Sequence, residues 1–311
     1  MELINTNETS LNVLRQKQID CLICCSGFEK RATFLASQLN LENIENKYVL
    51  KFDNFRTEPS RILNDDFFEL NNFVSLEFSG NDSLFFGIIW SEISKKNNNE
   101  VIRIVLDYSS MTRLWYSSAI SFIRDLKIGP KVVFYFCYSF SSFVNPINSS
   151  LRNLHIDPIP GFSKMTSPDK PTALVIGLGY EKERAFGLSE YFDAETYVFF
   201  TDNIDGSDYQ KYVKDANEAI LEYVKDENLF EYSLEHLENA ESLLFSLCNS
   251  LNRDYRIVIA PTGPKPFTLL CLLTSIRLEN IDVWRISAGN SIRPINKIPT
   301  GQTSIYKAVF E

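Results

Sequence analysis

The stretch Gly27-Phe28-Glu29-Lys30-Arg31 follows the apolar run 19–25, and it decides how the whole chain is interpreted. A similar stretch, Gly179-Tyr180-Glu181-Lys182 with an arginine at position 184, follows the apolar run 173–176. One short match has little weight, so the interpretation depends on whether other landmarks recur at the same spacing of about 150 positions.

Three further landmarks recur in the same order and at a similar spacing. In the first pair, Tyr48-Val49 precedes Asp53-Asn54, and Tyr197-Val198 precedes Asp202-Asn203. In the second, the apolar run 103–106 precedes a Ser- and Thr-rich turn, and the run 256–259 precedes Thr262-Gly263-Pro264-Lys265. The third pair consists of the apolar runs 132–138 and 283–287. We therefore predict an internal duplication, with a period too long for a solenoid. The predicted order is a first domain at 1–145, a connector at 146–170 and a second domain at 171–311.

Length and composition are typical of a soluble globular protein with two domains. The chain has 311 residues, of which 44% are hydrophobic and 23% charged. No apolar run approaches the ~18 residues that span a bilayer, so no membrane association is expected. The first ten residues are polar and do not resemble a signal peptide, and we expect a cytoplasmic protein.

Charge and cysteine content exclude several classes of partner. A net charge of −9 argues against extensive binding to duplex nucleic acid, which depends on Lys and Arg replacing counterions, but it leaves room for a small anion. The six cysteines lie in apolar segments and only two histidines accompany them, which makes a poor set of metal ligands. We expect the cysteines to be buried small side chains, with neither a metal nor a cofactor.

The pattern of predicted elements favours an α/β fold. Apolar strands alternate with segments of helical spacing in both halves, which is typical of a mainly parallel sheet covered on both faces. We therefore predict two tandem Rossmann-like, doubly wound domains. In such sheets ligands bind at the carboxyl ends of strands one and four, where the strand order reverses.

Both recurring turns follow these two strands, so their residues are predicted to converge on one crevice in each half. The candidate ligand-binding residues are Gly27, Phe28, Glu29, Arg31, Asp53, Asp107, Ser109, Ser110, Thr112 and Arg113 in the first half, and Gly179, Tyr180, Glu181, Arg184, Asp202, Thr262, Gly263 and Lys265 in the second.

The chemistry of these residues suits an anion or a nucleotide. Backbone N–H groups at a helix start, short hydroxyls and one cation (Arg113 or Lys265) form a receptor of phosphate size. Phe28 and Tyr180 are able to stack on a base, and an aspartate after strand two is where doubly wound folds bind ribose. The alternatives are a simple helix cap at Ser110 or Thr112, ordinary turn formation by the Asp-Asn pairs, and carboxylates that only complement a helix start.

Familiar enzyme motifs are missing, and no catalytic residue is assigned. The Gly177-x-Gly179 stretch lacks the third glycine of a dinucleotide fingerprint, and the sequence contains no P-loop. Both histidines, His155 and His236, lie outside the predicted crevices, which argues against a Ser-His-Asp triad.

The turns after strand four resemble those of a known family. Asp107-x-Ser109-Ser110-x-x-Arg113 and Thr262-Gly263-Pro264-Lys265 are similar to the Asp-x-Thr-Gly-Gly-x-Lys pattern of CARF domains, Rossmann-like sensors of cyclic oligonucleotides in prokaryotic antiviral systems. SAVED domains, two CARF-like units in one chain, are similar in architecture. Met111 stands in place of a glycine and Ala260 in place of the aspartate. The resemblance implies a composite pocket that grips a phosphodiester ring.

Three functions remain open on this basis. The first is a nucleotide sensor or regulatory subunit of an antiviral defence system, either free-standing or passing the signal to a separate effector protein. The second is an enzyme that acts on nucleotides or phosphodiesters, such as a ring nuclease. The third is a protein-interaction scaffold whose crevices are vestigial.

Overall fold

The computed structural model of the protein describes residues 1–79, 84–96, 100–144, 155–164, 169–202, 208–287 and 295–311. The chain divides into two compact units. The first unit contains residues 1–142 and 293–311, and the second contains residues 143–292.

Each unit is built on one sheet. The strands, in chain order, are β1 (Leu3–Thr9), β2 (Cys21–Ser26), β3 (Asn46–Phe52), β4 (Val74–Phe78), β5 (Val101–Asp107), β6 (Lys131–Ser141), β7 (His155–Pro158), β8 (Thr172–Gly177), β9 (Glu195–Thr201), β10 (Leu229–Tyr232), β11 (Arg256–Pro261), β12 (Ile281–Ser287) and β13 (Pro299–Phe310).

Helices connect most of these strands. They are α1 (Leu11–Arg15), α2 (Phe34–Ser37), α3 (Pro59–Leu70), α4 (Phe85–Lys96), α5 (Arg113–Asp125), α6 (Arg184–Phe192), α7 (Tyr209–Ala216), α8 (Glu218–Tyr223), α9 (Leu237–Leu251) and α10 (Lys265–Arg277), with 3₁₀ turns at Lys30–Thr33, Leu41–Asn43 and Asp226–Asn228. Within the described ranges, none of the helices combines the length and apolar composition needed to cross a bilayer.

The two sheets share one order of parallel strands. In the described residues the first sheet has the order β1-β13-β6-β5-β2-β3-β4, and the second has β10-β9-β8-β11-β12-β7. Numbered within each unit, the five parallel strands therefore run 3-2-1-4-5 in both, as doubly wound sheets do. The predicted α/β class is confirmed, and the shared order is what a duplication would produce; the duplication itself remains a prediction.

Continuous apolar runs form the central strands because both faces of each sheet are covered. All six residues of β2 are buried, as are five of the six in β8. The six cysteines are free thiols and are all buried, which confirms that they pack as small core side chains.

The unit boundaries differ from the predicted domains 1–145 and 171–311. The last strand, β13, pairs antiparallel with β6 and β1, so the C-terminal end belongs to the first unit. Because β13 pairs with strands that are distant in sequence, no local periodicity predicts to which sheet it belongs. The described part of the predicted connector is also structured, since β7 pairs with β12 of the second sheet.

The apolar spacing of residues 30–39 and 209–225 predicts one continuous helix in each segment, but both helices are interrupted. The segment 30–39 forms a 3₁₀ turn and the short α2, and the segment 209–225 is divided into α7 and α8 at Asn217. The sequence also predicts a helix cap at Asn81 or Asp82 and a helix break at 97–99, and both positions lie outside the described residues.

Candidate functional site

The first unit brings both predicted loops to the point where its strand order reverses. β2 and β5 are parallel neighbours, and the loop Gly27–Glu29 follows β2 while residues 108–112 follow β5. The carboxyl ends of adjacent parallel strands lie at the same sheet edge, so the two loops are adjacent. We call the residues of these loops and their contacts the first crevice.

A carboxylate joins the two loops. Ser110 Oγ donates a hydrogen bond to Glu29 Oε2 at 2.9 Å, and Arg31 Nε pairs with the same oxygen at 2.8 Å. Arg31 Nη1 also donates to Ser139 O at 3.1 Å, and its guanidinium lies 5.0 Å from the centre of the Tyr138 ring. The exposed fraction is 4% for the Arg31 side chain and 17% for that of Glu29. The pair is therefore largely desolvated, and the carboxylate is its part that contacts solvent.

The surroundings of Arg31 keep its guanidinium protonated. Burial opposes the protonated form, but Tyr138 and Glu29 outweigh burial and raise the pKa of Arg31. The guanidinium is therefore a permanent cation beside the loop.

A second cation, Lys297, reaches this cluster from the segment before β13, and sequence reasoning missed it. Arg31 N donates to Lys297 O at 3.0 Å, and Lys30 N donates to Asn296 Oδ1 at 3.0 Å. Burial lowers the pKa of Lys297, an effect that Glu29 opposes and Arg31 reinforces. No sequence pattern near position 297 indicates this placement, because it depends on how β13 pairs.

Asp107 and Ser109 stabilise the loop from within. Ser109 donates to Asp107 Oδ1 from its hydroxyl at 2.5 Å and from its backbone N at 3.1 Å. Ser139 N in turn donates to Ser109 Oγ at 2.8 Å. Both side chains are buried, so their described contacts tie the end of β5 to β6.

Thr112 and Arg113 start helix α5. Thr112 is its N-cap, and its hydroxyl accepts from Trp115 N at 3.3 Å, so the cap that the sequence offered as an alternative at Ser110 or Thr112 lies at Thr112. Arg113 is half-buried in the first turn, where a cation and the helix N-terminus together favour an anion.

Phe28 and Asp53 lie at the edges of this region. The Phe28 ring packs edge-on against Phe55 with centroids 5.6 Å apart. Asp53 is an exposed residue after β3 whose carbonyl accepts from Arg56 at 3.1 Å. Gly27 is buried, and a Cβ there would lie 3.4 Å from the Phe52 ring, which is ordinary contact.

Helix α3 supplies residues that the sequence did not indicate as functional. Arg61 is fully buried and pairs with Asp65 at 3.0 Å. Asp65 also accepts from Ser26 Oγ at 2.6 Å, and Arg61 Nη1 donates to the carbonyls of Phe52 and Asn54. This network holds the ends of β2 and β3 together.

The second unit places its loops at the corresponding edge, after the neighbouring strands β8 and β11, but the loops contact each other through the backbone. A Cβ on Gly179 would lie 2.5 Å from Thr262 O, and one on Gly263 would overlap Leu178 O. Thr262 Oγ1 donates to Gly177 O at 2.7 Å. Glycine is therefore required here by close approach of the two loops, which we call the second crevice.

The remaining candidate residues of the second unit each contact a different group. Arg184 Nη1 pairs with Glu181 Oε1 at 3.0 Å, as Arg31 pairs with Glu29. Tyr180 packs against the hydrophobic core, and Thr201 Oγ1 lies 3.4 Å from Asp202 Oδ1. Lys265 is half-buried at the first position of α10, whose N-cap residue, Pro264, has no side-chain hydrogen bond to the helix.

The first crevice thus combines Arg31 and Lys297 with the Glu29 carboxylate and the Ser110 hydroxyl, and Arg113 lies beside them at the start of α5. Such a set of groups is able to bind an anion. Among the described residues no group of three or more His, Cys, Asp and Glu side chains is arranged to hold a metal ion. Comparison with known proteins finds no matching family model, no matching curated protein and no matching solved structure.

Proposed function

We propose that the protein is a nucleotide-binding sensor or regulatory subunit, of the type that responds to cyclic oligonucleotides in prokaryotic antiviral defence, and that the first crevice holds the nucleotide. The observation that carries the proposal is the Glu29–Ser110 hydrogen bond of 2.9 Å, which joins the loops after β2 and β5 beside Arg31. Doubly wound sheets bind their ligands at this point.

The charges of the cluster support a phosphate-containing ligand. The cations Arg31, Lys297 and Arg113, the last at the N-terminus of α5, outnumber the two carboxylates Glu29 and Asp107. A local excess of positive charge in a protein of net charge −9 favours a small anion over a long nucleic acid. The resemblance to CARF and SAVED domains supplies the class of nucleotide.

The backbone contacts in the second unit support placing the ligand in the first. Side-chain contacts such as Glu29–Ser110 are able to open and be replaced by ligand contacts. The approach of Gly179 to Thr262 is made by the main chain, and opening it requires movement of a whole loop.

The test is thermal unfolding of the protein with a panel of synthetic 3′–5′ cyclic di-, tri- and tetranucleotides, with mononucleotides for comparison. We expect one cyclic member to raise the melting temperature in proportion to the logarithm of its concentration. The Arg113→Ala variant should lose this shift. Arg124→Ala, which alters the last turn of the same helix ~16 Å away, is the matched control and should keep it.

Two results would contradict the proposal: no member of the panel stabilises the wild-type protein, or Arg113→Ala and Arg124→Ala respond equally. Mass spectrometry of the same mixtures shows whether the nucleotide stays intact, which separates a sensor from an enzyme that cleaves its messenger.

A further inference from the structure

Side chains of α3 bind three consecutive carbonyl groups of the loop after β2. Asn64 Nδ2 donates to Gly27 O at 2.8 Å and to Glu29 O at 2.9 Å. Ser60 Oγ donates to Phe28 O, between them, at 2.6 Å. Asn64 is only 5% exposed, so water cannot readily replace these bonds, and their loss would leave buried groups unsatisfied.

These bonds also determine which way the loop presents its N–H groups. A trans peptide holds its N–H opposite its C=O, so the N–H groups of Phe28, Glu29 and Lys30 point away from α3. Lys30 N accordingly donates to Asn296 Oδ1 at 3.0 Å, and the next residue, Arg31, donates to Lys297 O at 3.0 Å. The α3 side chains therefore orient the part of the loop that carries Glu29 and Arg31.

In the second unit a buried asparagine also binds the loop, but through fewer carbonyl groups. Asn217 is 3% exposed, and its Nδ2 donates to Gly179 O at 2.7 Å. Its other bond, at 2.8 Å, goes to Val213 O in the preceding turn of its own helix. Asn217 thus holds one carbonyl of its loop, whereas Asn64 and Ser60 hold three of theirs.

We propose that Asn64, assisted by Ser60, is the positioning residue of the first crevice: it sets the geometry of the cluster formed by Glu29, Arg31 and Ser110 and thereby the affinity for the nucleotide. The effect on affinity rests on the proposed function. The effect on the loop does not, because it is a property of the protein without ligand.

The test compares Asn64→Leu with Asn217→Leu, which removes a buried asparagine from the corresponding place in the other unit. Without ligand, hydrogen exchange at the Lys30 and Arg31 amides should be about tenfold faster in Asn64→Leu and within about twofold of wild type in Asn217→Leu. For the cyclic nucleotide of the panel that stabilises wild type most, Kd should rise about tenfold in Asn64→Leu and less than about twofold in Asn217→Leu.

Ser60→Ala removes only the bond to Phe28 O, and it replaces Asn64→Leu in the test if that variant does not fold. It should accelerate hydrogen exchange at the Lys30 and Arg31 amides by about threefold and raise the Kd for the same nucleotide by about threefold. Unchanged exchange at Lys30 and Arg31 in these variants would overturn the inference, as would equal loss of affinity in Asn64→Leu and Asn217→Leu. If exchange accelerates but no nucleotide binds the wild-type protein, the positioning role stands and the proposed function fails.

Discussion

The two crevices lie at the same point of two sheets with the same strand order, yet their loops are joined differently. In the first, the Ser110 hydroxyl reaches the Glu29 carboxylate at 2.9 Å. In the second, Gly179 and Gly263 let the main chains of the loops touch. A similar motif therefore produces a polar junction of side chains in one unit and a close backbone contact in the other.

The difference shows what a glycine indicates at such a position. Gly27 has ordinary space around its α-carbon, whereas Gly179 is needed because Thr262 O lies against it. Contacts between side chains can be exchanged for contacts with a ligand by rotamer changes, whereas a contact between main chains opens only if a loop moves. We therefore expect the units to respond differently to matched substitutions.

The largest difference is expected between Arg31→Met and Arg184→Met. Arg31 contacts Glu29, Ser139 O and the Tyr138 ring, and its removal takes away all three contacts, at a cost of about 3 kcal/mol in the free energy of unfolding. Arg184 is buried to a similar degree but contacts only Glu181 among the described residues, so its loss should cost less, about 1 kcal/mol. Urea unfolding measures both, and equal losses would mean that the two ion pairs are equivalent.

A smaller difference is expected between Gly179→Ala and Gly27→Ala. The added methyl group at position 179 meets a backbone oxygen at 2.5 Å, and relieving this overlap should cost about 2 kcal/mol. The methyl group at position 27 meets the Phe52 ring at 3.4 Å, with an expected cost under about 0.5 kcal/mol. If calorimetry gives both variants the same melting temperature, the second crevice is not closed by its backbone.

The smallest effect concerns the helices that leave the two crevices. Thr112→Ala removes the side-chain cap of α5 and should lower the free energy of unfolding by about 1 kcal/mol, while Thr112→Ser should leave it unchanged. The cap residue of α10 is Pro264, which makes no side-chain bond to the helix, so α10 has no equivalent contribution to lose. A neutral Thr112→Ala variant would show that α5 is held by packing alone.

Local chemistry made part of this site predictable. The short hydroxyls before an apolar helical stretch offered a cap at Ser110 or Thr112 as one interpretation, and apolar runs followed by glycine and glutamate indicated the strand ends. Lys297 was not predictable because its place depends on β13, which pairs with a strand more than 150 residues earlier. Asn64 was also missed, because a side chain that binds backbone carbonyls leaves no periodic trace in the sequence.

The amino-acid sequence by itself determined the α/β class, the alternation of strands and helices, the burial of the cysteines and which loops follow strands one and four. Only the tertiary structure decided that β13 joins the first sheet, that Lys297 lies beside Arg31, and that Gly179 faces a backbone oxygen while Gly27 does not. The physical reason is the range of the interactions. Periodicity and capping are expressed within a few residues, whereas strand pairing and the close approach of loops depend on groups that are distant in the chain and meet only when it folds.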